Sequence, residues 1–319
     1  MRTLTSISIA VPVFNESDVL PTLVDRLTAT LSTLGVSSQQ IVMVDDGSTD
    51  GTADQLRRLV ERDPRFEAIL LSRNFGHQAA LSAALDRVTG DVTIVMDADL
   101  QDDPDLIPAM LEKYHEGYDV VYAVRRTRKE NLFRRTTYRV FYRLLSKVSN
   151  VALPVDAGDF GLMSRRVVKA ICASPERQRY LRGLRAWVGF RQYGLEVDRL
   201  ERQAGESKYS TAKLTALALN GIFAFSLVPL RMATLLGALA VTVAAAWAAF
   251  VLYAKLFLDQ SPQGFSSLVI TVVFLSGANL FFLGVIGEYV GRTYEESKGR
   301  PLYVIDELLV GPAHSLRDD

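Results

Sequence analysis

Apolar and polar positions run through the first third of the chain in two rhythms. Short β-branched runs at Ser6–Val13, Gln40–Asp45, Glu67–Leu71, Asp91–Met96 and Asp119–Ala123 alternate with longer stretches of helical periodicity. The runs predict strands, and the stretches between them predict helices near Ser17–Leu34, Thr49–Arg62, Gly76–Arg87 and Pro104–Glu116, the first two capped by Ser17 and Thr49. Strands alternating with helices mark βαβ units around a mostly parallel sheet, a Rossmann-like α/β class that binds nucleotides.

From Arg125 to Arg143 the pattern gives way to basic and aromatic residues, and from Arg177 to Arg202 arginines punctuate short segments without a clean period. The middle third therefore reads as a binding region rather than core. Arg125, Arg126, Arg128, Lys129, Arg134 and Arg135, with Phe133, Tyr138, Phe141 and Tyr142 beside them, suit a membrane-surface patch or a loop closing over substrate.

The last third changes again. Met232–Ala254 holds no charged residue, and about 23 residues at 1.5 Å each span roughly 35 Å, enough to cross a bilayer core. Gln260–Gly287 is a second uncharged stretch, apolar from Phe265, and the polar turn Asp259–Gly264 joins the two. The pair reads as a transmembrane hairpin with spans at about 232–256 and 265–287, the alternative being two buried helices of a soluble fold. Lys213–Val228 fits a helix lying along the membrane surface or a plain core helix. Arg231 precedes the hairpin and Arg292, Lys298 and Arg300 follow it, whereas the turn has no Lys or Arg, so both ends are expected on the cytoplasmic side. Lys255, near the turn, runs against this unless it snorkels. The expected organisation is a cytosolic catalytic domain at 1–210, an amphipathic interface helix at 211–230, two spans within 231–290 and a cytosolic tail at 291–319.

Composition narrows the chemistry. At 319 residues and 49% hydrophobic, the chain has room for a full catalytic domain plus something smaller. A formal net charge of +0 gives no general attraction for nucleic acid, so none is expected as partner and any anion must meet local Arg or Lys. The single cysteine, Cys172, excludes an intrachain disulfide, and His77, His115 and His314 form no zinc pattern. Any metal must sit on oxygens. The start, Met1-Arg2-Thr3 leading into Ile7, Ile9 and Val11, lacks signal-peptide features and reads as a first strand in the cytosol.

Asp97-Ala98-Asp99-Leu100-Gln101-Asp102 follows the apolar strand Val92–Val95, where ligands of open α/β sheets bind. Two carboxylates one residue apart suit Mg²⁺ or Mn²⁺, which takes one or two carboxylates plus substrate phosphates. The rival reading is an acidic turn in which Asp102 or Asp103 caps the helix after Pro104, and it fits Asp103 better than Asp97. A second acidic strand end, Asp45-Asp46-Gly47-Ser48-Thr49-Asp50, suits a nucleoside or helix capping equally, and the first strand ends in Pro12-Val13-Phe14-Asn15-Glu16.

These segments, with Ser72-Arg73-Asn74-Phe75-Gly76, resemble the family-2 glycosyltransferases of GT-A fold. Gly158-Asp159-Phe160, Leu162-Met163-Ser164-Arg165, Tyr180-Leu181-Arg182-Gly183, Gly205-Glu206-Ser207-Lys208-Tyr209 and Gly287-Glu288-Tyr289-Val290-Gly291-Arg292 narrow the resemblance to polyprenyl-phosphate glycosyltransferases. The chain is similar to the bacterial undecaprenyl-phosphate glucosyl- and aminoarabinosyl-transferases and to the dolichyl-phosphate mannose synthases. The resemblance implies nucleotide contacts at Pro12, Asn15, Glu16 and Asp46, a metal on Asp97, Asp99 and Gln101, and a catalytic position at Asp159. It also implies acceptor or donor phosphates at Arg182, Arg202, Ser207 and Lys208, and inversion at the anomeric carbon. His77 stands where relatives often carry Lys, and no functional conclusion is drawn from it.

A lipid phosphate monoester has its second pKa near about 6 and is largely dianionic at neutral pH, so no strong base is demanded. The expected partners are a nucleotide-sugar donor, UDP-glucose first, a polyprenyl (undecaprenyl) phosphate acceptor and a bacterial inner membrane, with a homo-oligomer, a tetramer, as the assembly. The product would serve cell-envelope glycosylation. GDP-mannose is the alternative donor. A processive polysaccharide synthase shares the nucleotide fold but needs an acceptor motif and channel helices not seen here, and a membrane scaffold would not need metal-ligand spacing at Asp97–Gln101.

Overall fold

The β-branched runs form the centre of an eight-stranded sheet in the computed structural model of the chain, which describes residues 2–125, 157–174, 176, 179–197, 228–257 and 264–311. The strands are β1 (Ser6–Val13), β2 (Ser38–Asp45), β3 (Phe66–Leu71), β4 (Val92–Val95), β5 (Val120–Arg125), β6 (Ala157–Ser164), β7 (Gln192–Val197) and β8 (Ile305–Val310). The helices are α1 (Leu20–Thr33), α2 (Thr52–Arg62), α3 (His77–Arg87), α4 (Ile107–His115), α5 (Arg165–Cys172), α6 (Leu181–Trp187), α7 (Val228–Phe257) and α8 (Phe265–Ser297). One compact unit holds the sheet with α1–α6, and a second holds α7 and α8.

The strand order is β7-β5-β6-β4-β1-β2-β3-β8. The neighbours β4, β1, β2 and β3 are parallel, as are β5 and β7, whereas β6 runs antiparallel to β4 and β5, and β8 antiparallel to β3. The expected mostly parallel sheet is thus a parallel centre within a mixed sheet. Side chains alternate between two cores. Ile7, Ile9, Val11 and Val13 of β1 pack with α1, α2 and α4, and Ala10, Val42 and Val44 pack with α3, α5 and α6.

Helix α1 places Leu20, Leu23, Leu27 and Leu31 on one stripe, each no more than 2% exposed. At roughly 1.5–3 kcal/mol per buried leucine, this packing rather than an end cap holds the helix. Ser17 and Thr49 are not the expected caps: α1 starts after Val19 and α2 after Gly51, neither with a side-chain cap. Asp50 instead joins the two helix starts, accepting from the Ser17 N–H at 3.0 Å and the Thr52 hydroxyl at 2.6 Å. Asp103 does cap, accepting from the Asp105 N–H at the short 3₁₀ turn before α4.

Two sequence expectations need correction. The middle third is partly core, because β6 inserts between β4 and β5, and Phe160, Leu162, Val167, Ile171, Leu181 and Leu184 are buried. The stretch 291–319 is not a plain tail, because Ile305–Val310 pairs with β3 as the sheet edge and Glu307 accepts from Arg57 at 2.7 Å. The basic segment 126–143 and most of the expected helix at 211–230 lie outside the described residues.

Helices α7 and α8 are 30 and 33 residues long and contain Leu230–Ala254 and Ile270–Ser297, each long and apolar enough to cross a membrane. Their most apolar windows are 0% buried, and Leu235, Val241, Trp247, Phe274 and Leu280 are exposed.

Candidate active site

The chain order reverses beside β1. From β1 the chain proceeds to β2 and β3 on one side, but β4 joins β1 from the other. Open α/β sheets bind ligands beyond the carboxyl ends of their strands at such a reversal. Asn15-Glu16 after β1, Asp45-Asp46 at the end of β2 and Asp97–Gln101 after β4 all reach this edge. At the opposite edge the buried acids are paired for structure, Glu67 with Arg87 at 2.8 Å and Asp119 with Arg2 at 3.0 Å.

On the β1–β2 side, backbone and side chains knit the loops together. Asn15 adopts φ 55°, a left-handed conformation that asparagine tolerates, and its N–H donates to Ser48 Oγ while its Oδ1 accepts from the Thr49 N–H, each at 2.8 Å. Asn15 is exposed and Glu16 half-buried, whereas Pro12 is buried within β1 opposite Val44. Asp45 is buried, and burial raises its pKa above the usual carboxylate range despite hydrogen bonds from Ser48. The Asp46 side chain is buried at the end of β2. Its oxygens accept the Phe75 N–H at 2.7 Å and the Gly76 N–H at 2.9 Å, which holds the 73–76 loop against β2. Gly47, at φ 73°, permits this approach: a Cβ there would lie 2.7 Å from the backbone of Arg73 and Asn74.

After β4, Asp102 accepts from the Asp97 N–H at 3.0 Å, and Leu100 takes φ 58° to close the turn. Gln101 is buried and donates to Asp99 through its N–H at 3.1 Å and its Nε2 at 2.7 Å, so in this state it orients Asp99. Asp97 Oδ1 meets His77 Nε2 at 2.8 Å. Among the described residues no three His, Cys, Asp or Glu side chains converge as a closed metal cage. Asp97 and Asp99 nonetheless supply the hard oxygen donors that fit Mg²⁺ or Mn²⁺ completed by substrate phosphates.

The third side of the site comes from β6 and α6. The pairing of Val95 with Gly161 sets Asp159 beyond the end of β4. Asp159 accepts a two-pronged contact from Arg182, Nε to Oδ1 and Nη2 to Oδ2, both at 2.8 Å. Burial alone would raise the Asp159 pKa, but the Arg182 guanidinium holds it below the usual range. For His77, burial lowers the pKa, yet the hydrogen bond and charge of Asp97, with the charge of Asp159, outweigh it and leave the pKa raised. Gln78 extends the contact, with Nε2 3.2 Å from His77 Nδ1 and Oε1 accepting from the Leu181 N–H at 2.9 Å, the first residue of α6. Sequence reasoning noted His77 without assigning it a role and did not single out Gln78 or Arg185, both of which the structure places beside Asp159 and Arg182 or their partners. Arg202, Ser207 and Lys208 lie outside the described residues.

Residues 8–172 match the family described as Glycosyl transferase family 2. An uncharacterised glycosyltransferase of Synechocystis sp. is 43% identical over 95% of this chain and 95% of its own. The prophage bactoprenol glucosyl transferase homolog of Escherichia coli is 39% identical over 94% of this chain and 98% of its own. Among solved structures, glucosyl-3-phosphoglycerate synthase from Mycobacterium tuberculosis, in complex with Mn²⁺, UDP-glucose and phosphoglyceric acid, is 20% identical with a TM-score of 0.48, covering 69% of this chain and 78% of its own.

Proposed function

From the premise that the chain belongs to glycosyl transferase family 2, we propose that it moves a sugar from a nucleotide-diphosphate sugar, UDP-glucose first, to the phosphate of a polyprenyl lipid. The observation that carries this reading is one chain combining Asp97, Asp99 and the Asp159–Arg182 pair at the strand-end edge with two exposed helices apolar enough for a bilayer. The bactoprenol glucosyl transferases, matched over 94% of the chain, support the lipid acceptor.

In this reading Asp97 and Asp99 hold a divalent cation, with Gln101 fixing the Asp99 carboxylate. Such a cation, when bound, neutralises the departing nucleotide diphosphate. Asn15 and Glu16 flank the nucleoside, and Asp46 shapes that side through the 73–76 loop. The acceptor phosphate dianion attacks the anomeric carbon as the bond to the nucleotide diphosphate breaks, inverting the centre. Because the dianion is already nucleophilic and the Asp159 pKa is depressed, Asp159 serves as a positioning group for Arg182 rather than a strong base. Arg182, with Arg202, Ser207 and Lys208, holds phosphate. The α7–α8 hairpin anchors the enzyme in the bacterial inner membrane with the catalytic unit on the cytoplasmic side, where nucleotide sugars are made.

A donor screen on the purified full chain in detergent tests this. UDP-glucose, other UDP-sugars and GDP-mannose are each supplied with undecaprenyl phosphate and Mg²⁺, Mn²⁺ or EDTA. The expected result is label from UDP-glucose in the lipid phase, abolished by EDTA. Transfer of label only to a water-soluble acceptor would overturn the reading.

A further inference from the structure

Arg185 is a charge set into a core. It is 5% exposed, its Nη2 donates to the Gly158 carbonyl at 3.1 Å, its guanidinium lies 4.8 Å over the Tyr122 ring, and its Nε has no hydrogen-bond partner among the described residues. A buried guanidinium with an unmade hydrogen bond is destabilising relative to a well-packed apolar side chain. Burial pulls its pKa down to about 10, against the opposing charge of Asp159. Arg182 and Arg185 lie three residues apart on α6, and with Asp159 they line a small cavity of about 10 Å³. That space is too small for a phosphate.

In this state the Nε–Nη2 edge of Arg182 is committed to Asp159, so a phosphate can take that edge only if Arg182 leaves the carboxylate. If Arg182 turns away, Asp159 becomes a buried carboxylate stripped of its partner, which is strongly unfavourable. We propose that Arg185 is the reserve counter-ion of Asp159: when Arg182 swings to an anionic phosphate, the unpaired Nε of Arg185 takes over the carboxylate. The exchange rearranges hydrogen bonds and changes no covalent bond. Two guanidinium groups against one carboxylate leave the unit with a net positive charge, so it attracts a phosphate while Asp159 stays compensated. Arg185 is a positioning residue acting through Asp159, and the inference rests on the phosphate-acceptor reading above.

The test uses the full chain in detergent as wild type, Arg185→Met, Arg185→Lys, Asp159→Asn and the Arg185→Met/Asp159→Asn double variant. Affinities for undecaprenyl phosphate, inorganic phosphate and UDP with Mg²⁺ are measured alongside the apparent Tm. Arg185→Met is expected to weaken both phosphate ligands by about tenfold or more and leave UDP within about twofold. Its Tm should be unchanged or higher, and Arg185→Lys should recover most of the affinity. With Asp159→Asn as background, the same change should shift phosphate affinity by less than about twofold, because no carboxylate then needs a reserve partner. Equal losses in both backgrounds, unchanged phosphate affinity, or no phosphate binding by the wild type would each overturn the inference. So would a lowered Tm with matching loss of UDP affinity, which marks a merely structural arginine. Phosphate binding that depends on Arg185 in a protein transferring no sugar to lipid would uphold the inference and remove the functional reading.

Discussion

Gln101 orients Asp99 from two residues away, whereas Asp46 holds a loop 29 and 30 residues along the chain. Asp97 and Asp99 stood out as candidate metal ligands because two acids one residue apart at a strand end can present oxygens to one hard cation. Asp46 was legible as important, yet its role in fixing the 73–76 loop depends on backbone N–H groups from a distant segment, which no local pattern reports. Arg185 was illegible because a buried arginine and a surface arginine look alike in sequence. His77 supplies a pH test. Its folded pKa is raised by Asp97, so the stability it contributes is fully present below the unfolded value of about 6.5 and is lost as pH rises through the folded pKa. Metal-free His77→Ala should therefore lose more thermal stability at about pH 5.5 than at about pH 9 relative to wild type. Equal losses would separate His77 from Asp97. For Asp159→Asn, turnover should fall on the order of 10²-fold with donor affinity retained, as expected when a group is misplaced. The loss should be independent of pH. A loss that shrinks above about pH 6–7 would restore proton removal as the role.

At the scale of elements, the sequence revealed β1 to β5 and missed the outermost strands β7 and β8. Strands β1 to β4 are buried, so their β-branched runs are nearly continuous. The outermost strands, β7 and β8, are half-exposed, and Gln192–Val197 and Ile305–Val310 mix acids and glycine with apolar residues. Such strands are recognised by what they pair with, not by their own pattern. The helix caps failed for a similar reason, since Asp50 bridges two helix starts from a separate loop. Strand β8 matters because it covers the edge of β3. A chain ending at Ser297 should lose thermal stability in its sheet unit and become more susceptible to proteolysis near β3. Unchanged melting and cleavage would make β8 dispensable.

For the molecule as a whole, the two charge-free stretches were the clearest feature of the sequence, because hydrophobic length alone decides whether a helix can span a bilayer. The orientation rests on the flanking Arg and Lys, and it predicts opposite accessibility for the turn and the C-terminus. In a Cys172→Ser background, single cysteines at Gln263 and Ser315 should label from opposite faces of the membrane, and labelling of both from outside intact cells would refute the hairpin. The central claim is that sugar is joined to the lipid's own phosphate. It is tested most directly by mass spectrometry of the lipid phase after incubation of the full chain with UDP-glucose, undecaprenyl phosphate and Mg²⁺, with Asp99→Asn as control. The account predicts undecaprenyl phosphate heavier by one hexose, still a monophosphate, and absent with Asp99→Asn. A hexose-free lipid from an enzyme that binds its donor, or a product carrying a diphosphate link, would contradict it.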